Sequence, residues 1–284
     1  MLLESDLIPF TVTPPIGEKS IVLAPHPDDE TLGCGGTIRL LLKAKKHIKV
    51  VFLTSGDKAD PSNKLSQVFA SSLSGKSRDS KMPQISEYAL QREKEAVKAL
   101  SILGVSDYEF LRFPDRELNT YYKSALKRLL EIVQAYTPDA IYSPSVIELN
   151  PDHRTTAALA LDIQKVTMDA CNAPLRPLEG RKGSVPIRVL FYEVTTPLRP
   201  NVLVDITSVY GVKKKAVRRY KSQLKLADYL GHITAMNTIR ALTVKNPLRS
   251  SLRCGANCPR YVEAFWFLDQ PLSEAHVLKW LSYR

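Results

Sequence analysis

The sequence predicts an α/β fold built on parallel strands. Short apolar runs alternate with amphipathic helical patterns for most of the length, and the first group reads strand, helix, strand. Residues Ser20–Ala24 form an apolar run typical of a buried strand, Thr31–Lys45 carries a helical apolar stripe, and Ile48–Leu53 is a second strand. Two strands joined by one helix within so short a span run parallel, so this segment is a βαβ unit.

The same alternation continues to residue 230. Further strands are predicted at 108–111, 140–143, 188–194 and 202–206. Further helices are predicted from Ser86 to a stop at Gly104, and at 123–136, 153–165 and 213–230. Residues 58–82 are polar and without periodicity, which indicates a long loop that helps to shape a pocket. Because no repeat or linker interrupts the pattern, we expect residues 1–284 to form one domain with a decorated carboxyl-terminal part.

The composition is that of a globular protein outside the membrane. Of the 284 residues, 44% are hydrophobic and 24% charged, and the mean hydropathy is -0.15. No apolar stretch approaches the roughly 18 residues that span a bilayer. The first residues, Met1–Asp6, carry acids, and no apolar run typical of a signal peptide follows them. We therefore predict a cytoplasmic location.

The net charge of +11 favours anionic partners, such as nucleic acid, acidic lipid surfaces or phosphorylated substrates. No nucleic-acid-binding motif accompanies the charge, so nucleic acid is not an expected partner. The basic run Lys213–Lys215, with Arg218, Arg219 and Lys221, is either a patch for phosphate or a membrane surface, or a solvated helix face. Cys254 and Cys258 are either ordinary loop cysteines or part of a structural zinc site.

Ionisable residues cluster where the first strand ends. In open α/β sheets the functional site lies beyond the carboxyl ends of the strands, and this strand runs directly into the sequence PHPDDE, residues 25–30. His26 and Asp29 are three residues apart on a turn constrained by two prolines, so both can reach one cation. Zinc accepts both ligand types and takes three protein ligands plus water when catalytic. Asp28, between the ligands, is then placed to accept a proton from that water.

A third ligand has to come from another strand end. The loop after strand 140–143 contains His153, with Asp152 beside it to orient an imidazole. In the alternative interpretation, Asp28 and Asp29 simply cap the helix that follows them. Two such clusters after two strands of one sheet favour a metal site.

The segment Ala24–Gly36, APHPDDETLGCGG, resembles the signature of the LmbE-like, or PIG-L, N-deacetylases. Supporting matches run through most of the chain: Leu53–Asp57, Arg92–Glu93 with Ala96, Leu103–Val105, Phe113–Asp115, Pro151–Arg154, Lys213, Ala216, Tyr220, Ser222, Gln223 and Tyr261–Phe265. The resemblance implies a Rossmann-like, three-layer α/β/α sandwich, one Zn²⁺ ion and hydrolysis of an acetamide on a sugar. It implies that His26, Asp29 and His153 bind the metal and that Asp28 is the general base, as inferred above.

One position departs from the family. Many members carry a histidine three residues before the last ligand, where this chain has Asn150. An asparagine amide can donate a hydrogen bond to an oxyanion but cannot shuttle a proton, so Asp28 would have to return its proton to the leaving amine. Arg92 is expected either to bind substrate or to form a buried ion pair. Asp115 is expected to bind sugar hydroxyls, with capping of a turn as the alternative.

The sequence therefore predicts a zinc-dependent deacetylase of an N-acetylated amino sugar or sugar conjugate. The basic charge makes a nucleotide sugar or a phosphate-bearing precursor an attractive substrate. Three alternatives stay open: a phosphoesterase, which normally requires two metals, a sugar-binding protein that has lost activity, and a hydrolase of another small amide.

Overall fold

The computed structural model describes residues 11–59, 85–172, 187–244 and 258–268, and of residues 170–172 only the backbone. The strands are β1 (Thr11–Val12), β2 (Lys19–Ala24), β3 (His47–Thr54), β4 (Asp107–Phe113), β5 (Ala140–Pro144), β6 (Arg188–Tyr192), β7 (Val202–Asp205) and β8 (Val262–Leu268). The helices are α1 (Asp29–Lys43), α2 (Glu87–Leu103), α3 (Tyr122–Tyr136), α4 (Pro151–Asn172), α5 (Tyr210–Val217), α6 (Lys221–Leu224) and α7 (Tyr229–Val244).

All eight strands form one sheet in the order β1-β7-β8-β6-β5-β2-β3-β4. Every pairing is parallel except those of β8, which runs antiparallel to both β6 and β7. In the parallel half, β2 lies between β5 and β3 with Val22 opposite Val50 and Tyr142. The carboxyl ends of β2, β3 and β5 therefore meet at one edge, which is where the two predicted clusters follow β2 and β5.

Helices cover both faces of the sheet because alternate strand residues point to opposite sides. On one face, Val22 and Val50 pack with helices α1, α2, α5 and α7. On the other, Leu23 and Val51 pack with α3 and α4. The predicted three-layer α/β/α sandwich with a mostly parallel sheet is confirmed.

Two glycines at the end of the signature segment let helix α1 pack closely against its neighbours. A Cβ built on Gly33 would lie 2.1 Å from the Tyr192 ring, and one on Gly36 would lie 2.6 Å from Ile206. The helix is interrupted at Cys34, whose φ of -135° is not helical. The carboxylate of Glu263 accepts hydrogen bonds from the backbone N–H groups of Gly36 (2.8 Å) and Thr37 (2.7 Å), which caps the second half of the helix.

The prediction of one helix over 213–230 is wrong. The structure has three helices here, α5, α6 and α7, and Tyr220 between the first two has a non-helical ψ of 61°. The Tyr220 side chain is buried and its hydroxyl donates to Glu30, which draws the chain toward the sheet. Asp228 then starts α7 by accepting a hydrogen bond from Gly231 N (2.9 Å). Periodicity did not reveal these breaks because the apolar residues on either side are spaced compatibly with one helix.

The basic run predicted on this helix is also interrupted. Lys213 is fully buried, and its Nζ lies 2.7 Å from Glu263 Oε1 and 3.2 Å from Asn237 Oδ1. Its charge therefore serves an internal ion pair and takes no part in a surface patch. In the part of the chain that the structure describes, no helix combines the length and apolar character needed to cross a membrane.

Two further predictions fall largely outside the described residues. Of the long loop at 58–82, only Lys58 and Ala59 are described, in a short 3₁₀ turn, Asp57–Ala59. Cys254 is not described, and Cys258 is disulfide-bonded, so its sulfur is not available as a zinc ligand.

Candidate active site

Three predicted ligand atoms meet at the carboxyl edge of the sheet. His26 follows β2, Asp29 begins α1, and His153 lies in the first turn of α4, which follows β5. His26 Nδ1 lies 3.0 Å from Asp29 Oδ2, His153 Nε2 lies 3.2 Å from the same oxygen, and the two ring nitrogens are 3.2 Å apart. All three residues are buried. The fold thus brings together residues that are 127 positions apart in the chain.

This arrangement fits one small cation. In a tetrahedral site with bonds of about 2.0–2.1 Å, two ligand atoms lie roughly 3.3 Å apart, close to the three separations found here. Burial alone would lower the pKa of His153, but its interactions with the carboxylates of Asp29 and Glu148 together outweigh burial and raise this pKa to about 9. Burial would raise the pKa of Asp29, yet the two imidazoles hold it well below its usual range. The negative charge of Asp29, which favours the protonated form of His153, also attracts a metal ion.

Carboxylates support the far side of both imidazoles. His26 Nε2 lies 3.2 Å from Asp115 Oδ1 and 3.4 Å from Asp152 Oδ2, and His153 Nδ1 lies 3.7 Å from Glu148 Oε2. The partners of His26 are close enough to orient this imidazole and to select the tautomer that leaves Nδ1 for a metal. The separation of 3.7 Å from Glu148 is too long for a hydrogen bond, so Glu148 acts on His153 through its charge. Asp152 was predicted to orient an imidazole, and the imidazole that it faces is that of His26.

Asp152 also holds the loop after β4. Its carboxylate accepts hydrogen bonds from the backbone N–H groups of Arg116 (2.6 Å) and Leu118 (3.2 Å). Arg116 has a φ of 62°, which few residues other than glycine adopt. Asp115, the preceding residue, accepts from Lys58 N (2.8 Å) as well as facing His26. The contacts of Asp115 with His26 and Lys58 lower its pKa against burial to about 2.

Asp28 points away from the ligand set toward Arg92. Arg92 Nη2 lies 3.0 Å from Asp28 Oδ1, and the guanidinium also donates to the carbonyls of Gly56 (2.5 Å) and Pro27 (3.1 Å). Of the two alternatives for Arg92, the buried ion pair is therefore present. Burial raises the pKa of Asp28 to about 6, although Arg92 opposes the shift. Asp28 precedes α1 but makes no side-chain capping hydrogen bond, which argues against the capping interpretation.

Asn150 occupies the position before α4. Its Oδ1 accepts a hydrogen bond from Asp152 N (2.8 Å), so the side chain starts the helix as an N-cap. Because the oxygen is used in this way, the amide Nδ2 is the atom that Asn150 has left to offer a substrate.

These residues line one cavity of about 160 Å³. Among the described residues, its wall contains all the predicted site residues except Asp152, together with Leu32, Ala59, Arg116, Val194, Thr195, Gln223 and Tyr229. A larger, mostly apolar cavity of about 520 Å³ is formed by neighbouring parts of the loops after β5 and β6, between Ile147, Leu198 and Trp266. None of the predicted site residues is among those that line it.

Sequence reasoning missed Glu148, Thr195 and Tyr229. Glu148 lies in the same loop as Asn150, and its carboxylate accepts backbone hydrogen bonds from Val194 (2.8 Å) and Thr195 (3.0 Å). A glutamate five residues before a predicted ligand is a weak signal. Tyr229 lies 76 positions after His153 in the chain, and no local sequence pattern indicates that it belongs to the site.

The fold and the site together define an α/β protein with a metal-binding centre of the hydrolytic type. Residues 21–164 match the model of the PIG-L family, the GlcNAc-PI de-N-acetylases. Since the match spans half of the chain, the protein belongs to this family. The predicted LmbE-like N-deacetylase family is confirmed.

Similar proteins include deacetylases and a hydratase. The chain is 27% identical over 219 residues to the diacetylchitobiose deacetylase of Thermococcus kodakarensis, covering 75% of this chain and 74% of that protein. It is 26% identical over 229 residues to the 4-oxalmesaconate hydratase of Pseudomonas putida, covering 79% and 81%. Its fold is similar to that of the N,N'-diacetylchitobiose deacetylase of Pyrococcus horikoshii, with a TM-score of 0.66, 23% identity and coverage of 94% and 92%.

Proposed function

We propose that this protein is a zinc-dependent hydrolase that removes the acetyl group from an N-acetylated amino sugar or sugar conjugate. The observation that carries the proposal is the meeting of His26 Nδ1, Asp29 Oδ2 and His153 Nε2 within 3.2 Å of one another, in a cavity that Asp28 also lines. The family supports deacetylation, and the ligand set suits Zn²⁺. When bound, zinc would polarise the amide carbonyl and lower the pKa of water toward ~7.

The residues of the chain would then move one proton. Asp28 takes a proton from the attacking water, whose oxygen bonds to the carbonyl carbon of the acetamide. When the carbon–nitrogen bond breaks, Asp28 returns this proton to the nitrogen. The products are a free amine and acetic acid, which ionises to acetate at neutral pH. A carboxyl whose pKa lies near neutrality can perform both transfers. This would make the missing histidine at position 150 unnecessary as a proton donor.

The other predicted residues have supporting parts in the proposal. Arg92 positions Asp28, Asp152 and Asp115 orient His26, and Asn150 donates a hydrogen bond through Nδ2 to the amide oxygen. Asp115 also lines the cavity, which supports its predicted contact with sugar hydroxyls, whereas Arg92 on the same wall is engaged with Asp28. A phosphate on the substrate, a single domain over 1–284 and a cytoplasmic location stay predictions.

The test is release of acetate and of free amine from a panel of N-acetylated sugars. The panel contains N-acetylglucosamine, N,N'-diacetylchitobiose, a phosphorylated N-acetylglucosamine and a nucleotide-linked one. We expect release from at least one of them, its loss with a chelator and its return with Zn²⁺. A hydratase reaction adds water without releasing acetate, so the assay separates the two chemistries found among the relatives. Failure of the zinc-loaded protein to release acetate from any of these sugars would contradict the proposal.

A further inference from the structure

The reaction proposed above places a negative charge on the amide oxygen of the substrate, and hydrogen-bond donors aimed at this oxygen lower the barrier. Asn150 can supply one donor through Nδ2. A second donor would have to lie on the wall of the cavity, among the described lining residues, with a hydrogen that the protein does not already use.

Most donors on this wall are already engaged. Gln223 Nε2 donates to Tyr88 Oη (3.0 Å) and Ser222 Oγ (3.2 Å). Thr195 Oγ1 donates to Glu148 Oε2 (2.5 Å). Arg92 Nη1 and Nη2 are occupied by Asp28 and two backbone carbonyls, and Nε, which has no partner among the described residues, is closed to solvent and so is not presented to the cavity. These groups hold the site together and cannot turn to a substrate without breaking contacts within the protein.

Two side chains are left besides Asn150, those of Arg116 and Tyr229. Arg116 is exposed, so water weakens any hydrogen bond that it makes. Tyr229 is partly buried, and no hydrogen bond to its hydroxyl is found among the residues that the structure describes. A phenol of this kind on the wall of a polar cavity has its O–H available for a ligand.

Local hydrogen bonds hold Tyr229 at the first turn of helix α7. It begins helix α7, its backbone N–H donates to Ala227 O (2.9 Å), and Asp228 caps the same turn. Burial raises the pKa of Tyr229, and the negative charges of Asp28 and Asp29 raise it further. The hydroxyl therefore keeps its proton at neutral pH.

We propose that the Tyr229 hydroxyl donates a hydrogen bond to the amide oxygen of the substrate as this oxygen becomes negative, alongside Asn150 Nδ2. The inference rests on the proposed function. Tyr229 transfers no proton in this role: the O–H bond stays intact, and the proton of the leaving amine comes from Asp28. It gives the chain a second oxyanion donor where many family members have a histidine at the position of Asn150.

The test is the variant Tyr229→Phe, which removes one oxygen and keeps the ring. Loss of one oxyanion donor typically lowers kcat by about 10²–10³-fold. We expect a fall of this order with little change in KM, because the contact strengthens in the transition state. A tetrahedral phosphorus analogue of N-acetylglucosamine, which presents an oxygen in the place of the oxyanion, should bind the variant more weakly by a similar factor.

The matched control is Tyr136→Phe. Tyr136 ends helix α3 beside Lys19, at the start of β2 and so at the opposite end of the strands from the site. Its variant should keep the wild-type kcat and the wild-type affinity for the analogue. Zinc content is measured in all three proteins, because a structural role for the hydroxyl would alter metal binding.

Three results would overturn the inference: a wild-type kcat in Tyr229→Phe, a rise in KM alone, or loss of zinc from this variant. Failure of the proposed function would look different, since the wild type itself would then release no acetate. In that case the affinities for the phosphorus analogue still test whether the Tyr229 hydroxyl donates a hydrogen bond. Equal binding by the wild type and by Tyr229→Phe would exclude this hydrogen bond.

Discussion

Arg92 Nη2 and Asp28 Oδ1 lie 3.0 Å apart in an ion pair closed to solvent. The pair separates Asp28 from the ligand set, although Asp28 is the direct neighbour of Asp29 in the chain. Since the carboxylate is held on the cavity wall and not on the metal position, it can serve as a base.

The variant Asp28→Asn tests this division of roles. We expect it to bind one equivalent of zinc, like the wild type, because His26, Asp29 and His153 are untouched. Its kcat should fall by about 10²–10⁴-fold, the usual contribution of a general base. Zinc content and acetate release are measured on the same samples. Activity within a few-fold of wild type would remove Asp28 from its proposed role.

Metal stoichiometry tests the ligand set and the phosphoesterase rival together. We expect one zinc per chain. His26 turns Nδ1 to the ligand set, whereas its Nε2 faces Asp115 and Asp152 as a hydrogen-bond donor and so does not bind a second metal. His153→Ala should lose most of the zinc, which can be measured by elemental analysis after dialysis. The exposed His47 lies outside the site, and His47→Ala is the matched control. Two metals per chain would favour a phosphoesterase.

The buried pair of Lys213 and Glu263 predicts a large effect on stability. Lys213→Met leaves Glu263 buried without its cation, so we expect the free energy of unfolding to fall by about 3–5 kcal/mol. The nearby Lys215→Met, on the exposed side of the same helix, should change it by less than about 0.5 kcal/mol. Urea denaturation measures both. Equal effects of the two variants would show that the Lys213 pair contributes little.

Two helical glycines provide a matched test of packing in the signature segment. Gly33→Ala places a Cβ 2.1 Å from the Tyr192 ring, so we expect a loss of about 1–3 kcal/mol or more. At Gly211 a Cβ meets no atom within 4 Å, and Gly211→Ala should stabilise helix α5 by up to about 1 kcal/mol. Thermal denaturation compares the variants. A Gly33→Ala protein as stable as wild type would contradict the close approach.

Alkaline stability should depend on Tyr136. Burial and the charges of Asp107 and Asp139 raise its pKa to about 12 from an unfolded value near 10. The folded state thus keeps a proton that the unfolded state loses, so this contribution is complete below pH 10 and is lost as the pH rises to about 12. Tyr136→Phe should lose less stability than wild type between these pH values. Parallel curves of melting temperature against pH for the two proteins would show that the shift is absent.

Local patterns determined much of this protein. The apolar run of β2, the caps Ser86 and Gly104 of α2, and the segment Ala24–Gly36 act over a few residues, so they can be recognised without the fold. The same holds for the choice of His26, Asp29 and His153 as ligands, since two polar clusters follow strands of one sheet. Periodicity failed at 213–230, where a contact between Tyr220 and Glu30, 190 positions apart, interrupts the helix.

The sequence alone predicted the α/β class and the candidate ligands from residue patterns within single strands, turns and helices, and it indicated the family through the resemblance of the segment Ala24–Gly36. Only the tertiary structure decided that Arg92 holds Asp28, that Asp115 and Asp152 face His26, that Lys213 is buried, and that Tyr229 reaches the cavity. Each of these contacts joins separate elements. Their physical reason is the stacking of helices on the two faces of the sheet, which brings distant side chains together and leaves no trace in local spacing.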